Sequence, residues 1–146
     1  MSTSKHILLF GAGKSATVLI DYLKNVCTEN DWWFTVADSN YQLAASKTSG
    51  SSCASAVQVN IEDAAQRSEL IKKADLVISM MPAFLHSLVA GDCIEYGKHL
   101  FTASYVDEGI KTFEEKIKEK NLLFLCEMGL DPGIDHMSAK IGRAHV

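Results

Sequence analysis

The stretch Ile7-Leu-Leu-Phe-Gly-Ala-Gly-Lys-Ser-Ala16 runs from an apolar strand directly into a glycine turn, and Val18, Leu19, Ile20, Tyr22 and Leu23 continue it as a helix. This is a Gly-x-Gly-x-x-Ala pattern with a strand before it and a helix after it. Gly11 permits the tight turn, Gly13 lets the backbone approach a diphosphate with no Cβ in the way, and Ala16 allows close packing of helix on strand. Ala12 sits between the two glycines. The helix start then offers free N–H groups and a positive dipole end to phosphate oxygens. A bare Gly-x-Gly can mark any tight turn; here strand, glycines and helix agree on a dinucleotide site. Lys14 suits either a phosphate contact or a solvated lysine.

Beyond the turn, short β-rich runs at 6–10, 32–37, 56–59, 76–79, 99–102 and 122–126 alternate with amphipathic stretches at 15–26, 61–73, 84–96 and 107–120. The apolar residues of the longer stretches recur near helical spacing. Parallel strands need long right-handed crossovers, so this alternation predicts a Rossmann-type doubly wound parallel sheet of about six strands with helices on both faces. The serine-rich segment 46–55 reads as a surface loop before the third strand, with room for a frayed helix end.

The second strand ends at Ala37-Asp38. Dinucleotide folds place an acid there that accepts both ribose hydroxyls, and such a carboxylate repels a 2′-phosphate unless a nearby arginine offsets it. No arginine follows, so NAD is the expected cofactor and NADP the second choice. Asp38 also suits a turn or helix N-cap, and the two roles can coexist.

The chain has 146 residues, of which 47% are hydrophobic, enough for one domain with a buried core. Its net charge of −4 offers no electrostatic footprint for nucleic acid or an anionic membrane surface. Cys27, Cys53, Cys93 and Cys126 lie far apart, without metal-ligand or Cys-x-x-Cys spacing, and read as reduced thiols. The first strand begins too early to leave space for a signal or transit segment, and no apolar run is long enough to span a bilayer. The expectation is a cytoplasmic protein with no metal, nucleic-acid or membrane partner.

Four further segments carry a resemblance: Asp75-Leu-Val-Ile-Ser-Met-Met-Pro82, Phe84-Leu-His-Ser-Leu-Val-Ala90, Phe101-Thr-Ala-Ser-Tyr-Val106 and Glu127-Met-Gly-Leu-Asp-Pro-Gly-Ile-Asp-His-Met-Ser-Ala139. Together with the glycine turn they resemble the saccharopine dehydrogenase family, most specifically in Gly129 to His136. The resemblance implies nicotinamide-dependent oxidation of saccharopine, a secondary amine, to an imine that water splits into L-glutamate and 2-aminoadipate semialdehyde, in lysine metabolism. It implies Met81 and Ala103 beside the cofactor, with Gln42 and Asp38 at the adenosine end. Leu130, Asp131 and Pro132 would line the nicotinamide side. Ser104, Tyr105 and Asp131 would meet the amino-acid substrate. A homodimer of the longer protein is left open, and the proton-transfer residue is not assigned.

Each of these positions has a plainer reading. Ser104 suits a helix cap, Tyr105 a half-buried aromatic, and Asp131-Pro132-Gly133 a simple turn. Glu127, Asp135 and His136 are titratable neighbours, with Asp135 better suited to an N-cap than to acid/base work. His86 reads as a packing or surface histidine, and Trp32 and Trp33 as core or rim. The Lys/Glu run at 111–120 reads as a solvated helix face.

Members of the resembled family carry a substrate domain after the segment ending at Ala139, so residues 1–139 are expected to be the dinucleotide-binding domain of a chain truncated before that domain. Hydride transfer needs the substrate carbon held at near-attack distance, so the chain alone is expected to be inactive. The final Ile141-Gly-Arg-Ala-His-Val146 is also the translation of common sequencing-adapter DNA, and 140–146 is expected to be a non-native tail. Two other functions remain open: reduction of a polyamine-derived Schiff base, and a non-catalytic NAD-binding redox sensor.

Overall fold

The computed structural model describes residues 4–144. Six strands form one sheet in the order β3-β2-β1-β4-β5-β6, and every adjacent pair is parallel. They are β1 (His6–Phe10), β2 (Trp33–Asp38), β3 (Ala54–Gln58), β4 (Leu76–Ser79), β5 (His99–Thr102) and β6 (Phe124–Leu125). Seven helices accompany them: α1 (Thr17–Asn30), α2 (Tyr41–Thr48), α3 (Ala64–Lys73), α4 (His86–Glu95), α5 (Glu108–Lys111), α6 (Glu114–Glu119) and α7 (Ile134–Ala144). The order reverses direction between β1 and β4, so a crevice opens at their carboxyl ends. This is the Rossmann-type doubly wound fold that the alternation predicts.

β1 lies in the middle of the sheet and is buried along its whole length. Because side chains alternate faces along a strand, Leu8 and Phe10 join Ile71, Val89 and Ala90 under α3 and α4. Ile7 and Leu9 join Ile20, Leu23 and Ala44 under α1 and α2. A continuous apolar run is what a strand covered on both faces requires. Each fully buried large side chain of this kind contributes about 1.5–3 kcal/mol relative to an exposed one.

Several predicted boundaries shift. The first helix opens with a 3₁₀ turn at Lys14–Ala16 and runs on to Asn30, because nothing breaks it before Asp31 turns left-handed at φ 56°. The segment 46–55 is not all loop: α2 extends to Thr48 and β3 starts at Ala54. Asn40 starts α2 as its N-cap, accepting the Leu43 N–H at 3.1 Å. Stretch 107–120 divides into α5 and α6, with Asp107 accepting the Ile110 N–H at 2.8 Å. α7 follows Asp131-Pro132-Gly133 and runs through 140–144; residues 145 and 146 of the expected tail lie outside the described residues. No described helix is long and apolar enough to cross a membrane.

Candidate functional site

The two glycines of the turn do different work. Gly11 has φ +99°, its N–H donates to the Ala37 carbonyl at 2.9 Å, and a Cβ there would lie 3.0 Å from the Met80 carbonyl oxygen. Gly13 has an ordinary φ of −61°, and a Cβ there would touch nothing within 4 Å. The fold therefore requires the first glycine, whereas the second leaves a cradle beside the helix start, where the first N–H groups lack intrahelical partners. A dinucleotide diphosphate fits that cradle. Lys47, on α2, donates to the Gly13 carbonyl at 2.6 Å and to the Thr17 hydroxyl at 2.8 Å.

Asp38 closes the turn from the end of β2. One carboxylate oxygen accepts the Ala12 N–H at 2.6 Å and the other the Asn40 N–H at 2.8 Å. Beside it a cavity of about 270 Å³ is lined by Phe10, Asp38, Asn60, Met81 and Phe84, with room for a planar heterocycle. Gln42 lies exposed in the first turn of α2. Arg67, buried, braces the wall of this cavity, donating to the Ile61 carbonyl at 2.6 Å while it pairs with Asp92 at 2.7 Å.

A second cleft, of about 330 Å³, opens across the ends of β4 and β5 and is lined by Ser15, Leu19, Met80, Ala103, Met128 and Gly129. Ser104 and Tyr105 follow Ala103. The Tyr105 hydroxyl donates to Asp131 at 2.6 Å, and this bond, with the surrounding carboxylates, pushes the phenol up to about 12. Tyr105 is thus a protonated donor at any working pH. Glu127, at a positive φ of 61°, accepts the Val106 N–H at 3.3 Å. Gly133 stands at φ +146°, where any Cβ would run into the Gly129 carbonyl. Leu130 is largely exposed, and Pro132 is buried behind Asp131.

Asp135 is not an N-cap: it lies inside the first turn of α7 and accepts the N–H of Gly133 at 2.9 Å. Its carboxyl is lowered although desolvation opposes this, because backbone N–H groups of His136 and Gly133 stabilise the anion. His136 sits edge-on to the Tyr105 ring. Trp33 stacks on His6 with ring centres 3.7 Å apart, and so forms a rim.

All the expected positions therefore gather along one edge of the sheet: Gly11, Ala12, Gly13, Asp38, Gln42 and Met81 on one side, Ala103, Ser104, Tyr105, Leu130, Asp131 and Pro132 on the other. Two side chains outside that set belong to the same edge. One is Lys47. The other is His86, which is 1% exposed and bonded to Ser79 and Ser104. Neither carries a local motif, since each meets its partners through the fold.

The described geometry agrees with known proteins. The family model "Saccharopine dehydrogenase NADP binding domain" matches residues 7–125. Alpha-aminoadipic semialdehyde synthase from Arabidopsis thaliana is 37% identical over 100% of this chain, which spans 16% of that protein. Saccharopine dehydrogenase [NADP(+), L-glutamate-forming] from Schizosaccharomyces pombe is 32% identical over 91% of this chain and 29% of its own length. The solved apo saccharopine dehydrogenase (L-Glu forming) from Saccharomyces cerevisiae superposes with a TM-score of 0.85 at 30% identity, covering 97% of this chain and 32% of that one. The chain thus spans a third or less of these relatives.

Proposed function

Because this chain belongs to the saccharopine dehydrogenase family, as the dinucleotide-binding domain of an oxidoreductase, we propose that it serves the oxidation of saccharopine to L-glutamate and 2-aminoadipate semialdehyde. The observation that carries the reading is the Tyr105 to Asp131 hydrogen bond of 2.6 Å, set beside the cleft at the ends of β4 and β5. A nicotinamide bound along this edge would supply the hydride acceptor for the carbon next to the amine. The residues of this chain do the rest of the work on their side. The glycine turn holds the diphosphate, and the walls at Ala103 and Gly129 keep water from the ring. Asp131 faces the substrate's ammonium groups, while Tyr105 spends its one hydroxyl proton on the Asp131 carboxylate and fixes its orientation. Substrate contacts from the rest of the longer protein complete the clamp, so the isolated chain binds cofactor without turnover.

The cofactor we propose is NADP, against the expectation of NAD from Asp38. Both Asp38 oxygens already accept backbone N–H groups, from Ala12 and Asn40. Its charge is partly satisfied by the turn, which weakens its repulsion of a 2′-phosphate, and the names of the family domain and of the fission-yeast relative carry NADP.

The test is a saccharopine oxidation assay on the complete gene product with NAD and with NADP. Turnover with preference for NADP is expected. Lack of turnover with both cofactors removes the reaction, and preference for NAD restores the original role of Asp38.

A further inference from the structure

Beneath the substrate side of the cleft lies a buried polar cluster. His86, the first residue of α4, places Nδ1 2.9 Å from the Ser79 hydroxyl at the end of β4. Its Nε2 is 2.7 Å from the Ser104 hydroxyl and 3.1 Å from that of Thr102. Ser79, His86 and Thr102 are all sealed from solvent, whereas Ser104, which follows Ala103 of the cleft wall, is half-buried. The Thr102 oxygen also accepts the Ser104 N–H at 3.2 Å. A packing role explains the sealed groups. It does not explain why the shortest bond of the ring goes to Ser104, the one hydroxyl of the three that is not sealed from solvent.

An imidazole nitrogen has either one in-plane lone pair or one proton. If Nε2 carries the proton, it donates to Ser104, whose own proton is free to turn outward and donate to a carboxylate. If Nδ1 carries it, toward Ser79, then Ser104 donates inward and presents lone pairs to an ammonium or amine N–H. Both forms are uncharged, and burial pushes the ring below its ordinary pKa, with Asp107 opposing this weakly.

We propose that His86 is a positioning residue that clamps the Ser104 hydroxyl and sets, through its tautomer, whether Ser104 donates to the amino-acid substrate or accepts from it. The identity of that substrate rests on the saccharopine reading; the link between His86 and Ser104 does not.

Two experiments test it. In the complete gene product, His86→Leu raises KM for saccharopine about tenfold, as loss of one buried polar contact would. The Kd for NADP stays within about twofold, because the site lies apart from the glycine turn. His86→Gln, which keeps a hydrogen-bonding group, recovers part of the loss. Adding Ser104→Ala to His86→Leu costs nothing beyond Ser104→Ala alone. An unchanged KM, multiplying losses, or an equal fall in NADP affinity each overturns the proposal. The second experiment is ¹⁵N NMR of the His86 ring in the unsubstituted chain and in Ser104→Ala. The Nε2 resonance moves in the variant, and Nδ1 moves the opposite way as the single ring proton redistributes. A ring that ignores Ser104→Ala overturns the proposal even where no variant at 86 folds. Absence of saccharopine turnover in the unaltered gene product sinks the reaction reading instead, and the NMR result still decides the link.

Discussion

The two ends of the crevice are built from different material. At the glycine turn the ligand-facing groups are backbone: N–H donors at a helix start, with Gly13 leaving open space and Ala12 tied to Asp38. At the Ser104 to Asp131 end they are side chains on loops, and many of them face solvent, including Tyr105 at 53% and Leu130 at 73% exposure. Backbone binding needs only one contiguous stretch and holds its shape by itself. Side-chain recognition needs groups from distant segments and further surfaces to close over them. Dinucleotide binding at the turn thus depends on one contiguous segment, whereas the side-chain end depends on groups that only the whole fold assembles.

The sharpest way to break that distinction is within the turn itself. Gly13→Val should leave the thermal transition nearly unchanged, because φ is ordinary and a Cβ there meets nothing within 4 Å. The same variant should lower dinucleotide affinity by about 100-fold or more, since the side chain fills the diphosphate cradle. Gly11→Val should do the reverse first, costing about 2–4 kcal/mol of stability through its left-handed φ and the Met80 carbonyl. Fluorescence titration with NADPH and a melting curve on each variant check both. A Gly13→Val chain that binds as well as the parent would show that the diphosphate lies elsewhere.

The same contrast explains what could be read from the sequence. The β1, turn and α1 unit was legible because strand, glycines and helix are consecutive and each conveys a local rule. So was the parallel sheet, through alternating periods. α2 was obscured because Tyr41–Thr48 mixes serine, threonine and small residues, and its start depends on one capping asparagine. α7 was signalled only by the N-cap reading of Asp135, because Asp131-Pro132-Gly133 favours a turn and the helix starts one residue before that aspartate. His86 gave no local signal because its partners stand at 79, 102 and 104, brought near only by the packing of α4 against β4 and β5. Lys47 was silent for the same reason, being a helix residue whose target lies on another helix's first turn.

A smaller effect sharpens the backbone side of the comparison. The Gly13 carbonyl and the Lys14 N–H belong to one planar trans peptide and point in opposite directions. An ammonium on that carbonyl strengthens the N–H as a donor toward the cradle, and adds positive charge to the helix start. Lys47→Met should therefore weaken ADP-ribose and NADPH binding by about three- to tenfold, while adenosine, which lacks the diphosphate, binds as before. Equal losses for adenosine and ADP-ribose would reduce Lys47 to a strut between α1 and α2.

The gentlest test uses pH, and it addresses the side-chain end. Burial lowers His86 and His6 below the ordinary histidine value. For a base whose folded pKa is depressed, folding favours the neutral ring, so its contribution to stability is fully present above about pH 6.5 and is lost as the pH falls through the lower folded value. The melting temperature of the chain should hold through neutrality and decline below that point, before the carboxylates of Glu69 and Glu114, which their lysine partners lower, begin to protonate. His86→Gln should flatten part of the decline. Asp107 faces His86 and resists the shift, whereas His6 answers to Asp75 and Lys98 at the foot of the sheet, so the two contributions are separable by variant. Dinucleotide affinity should change little across the same range, because no histidine among the described residues bonds to the glycine turn; a parallel fall in affinity would mean that the two ends of the crevice are coupled after all.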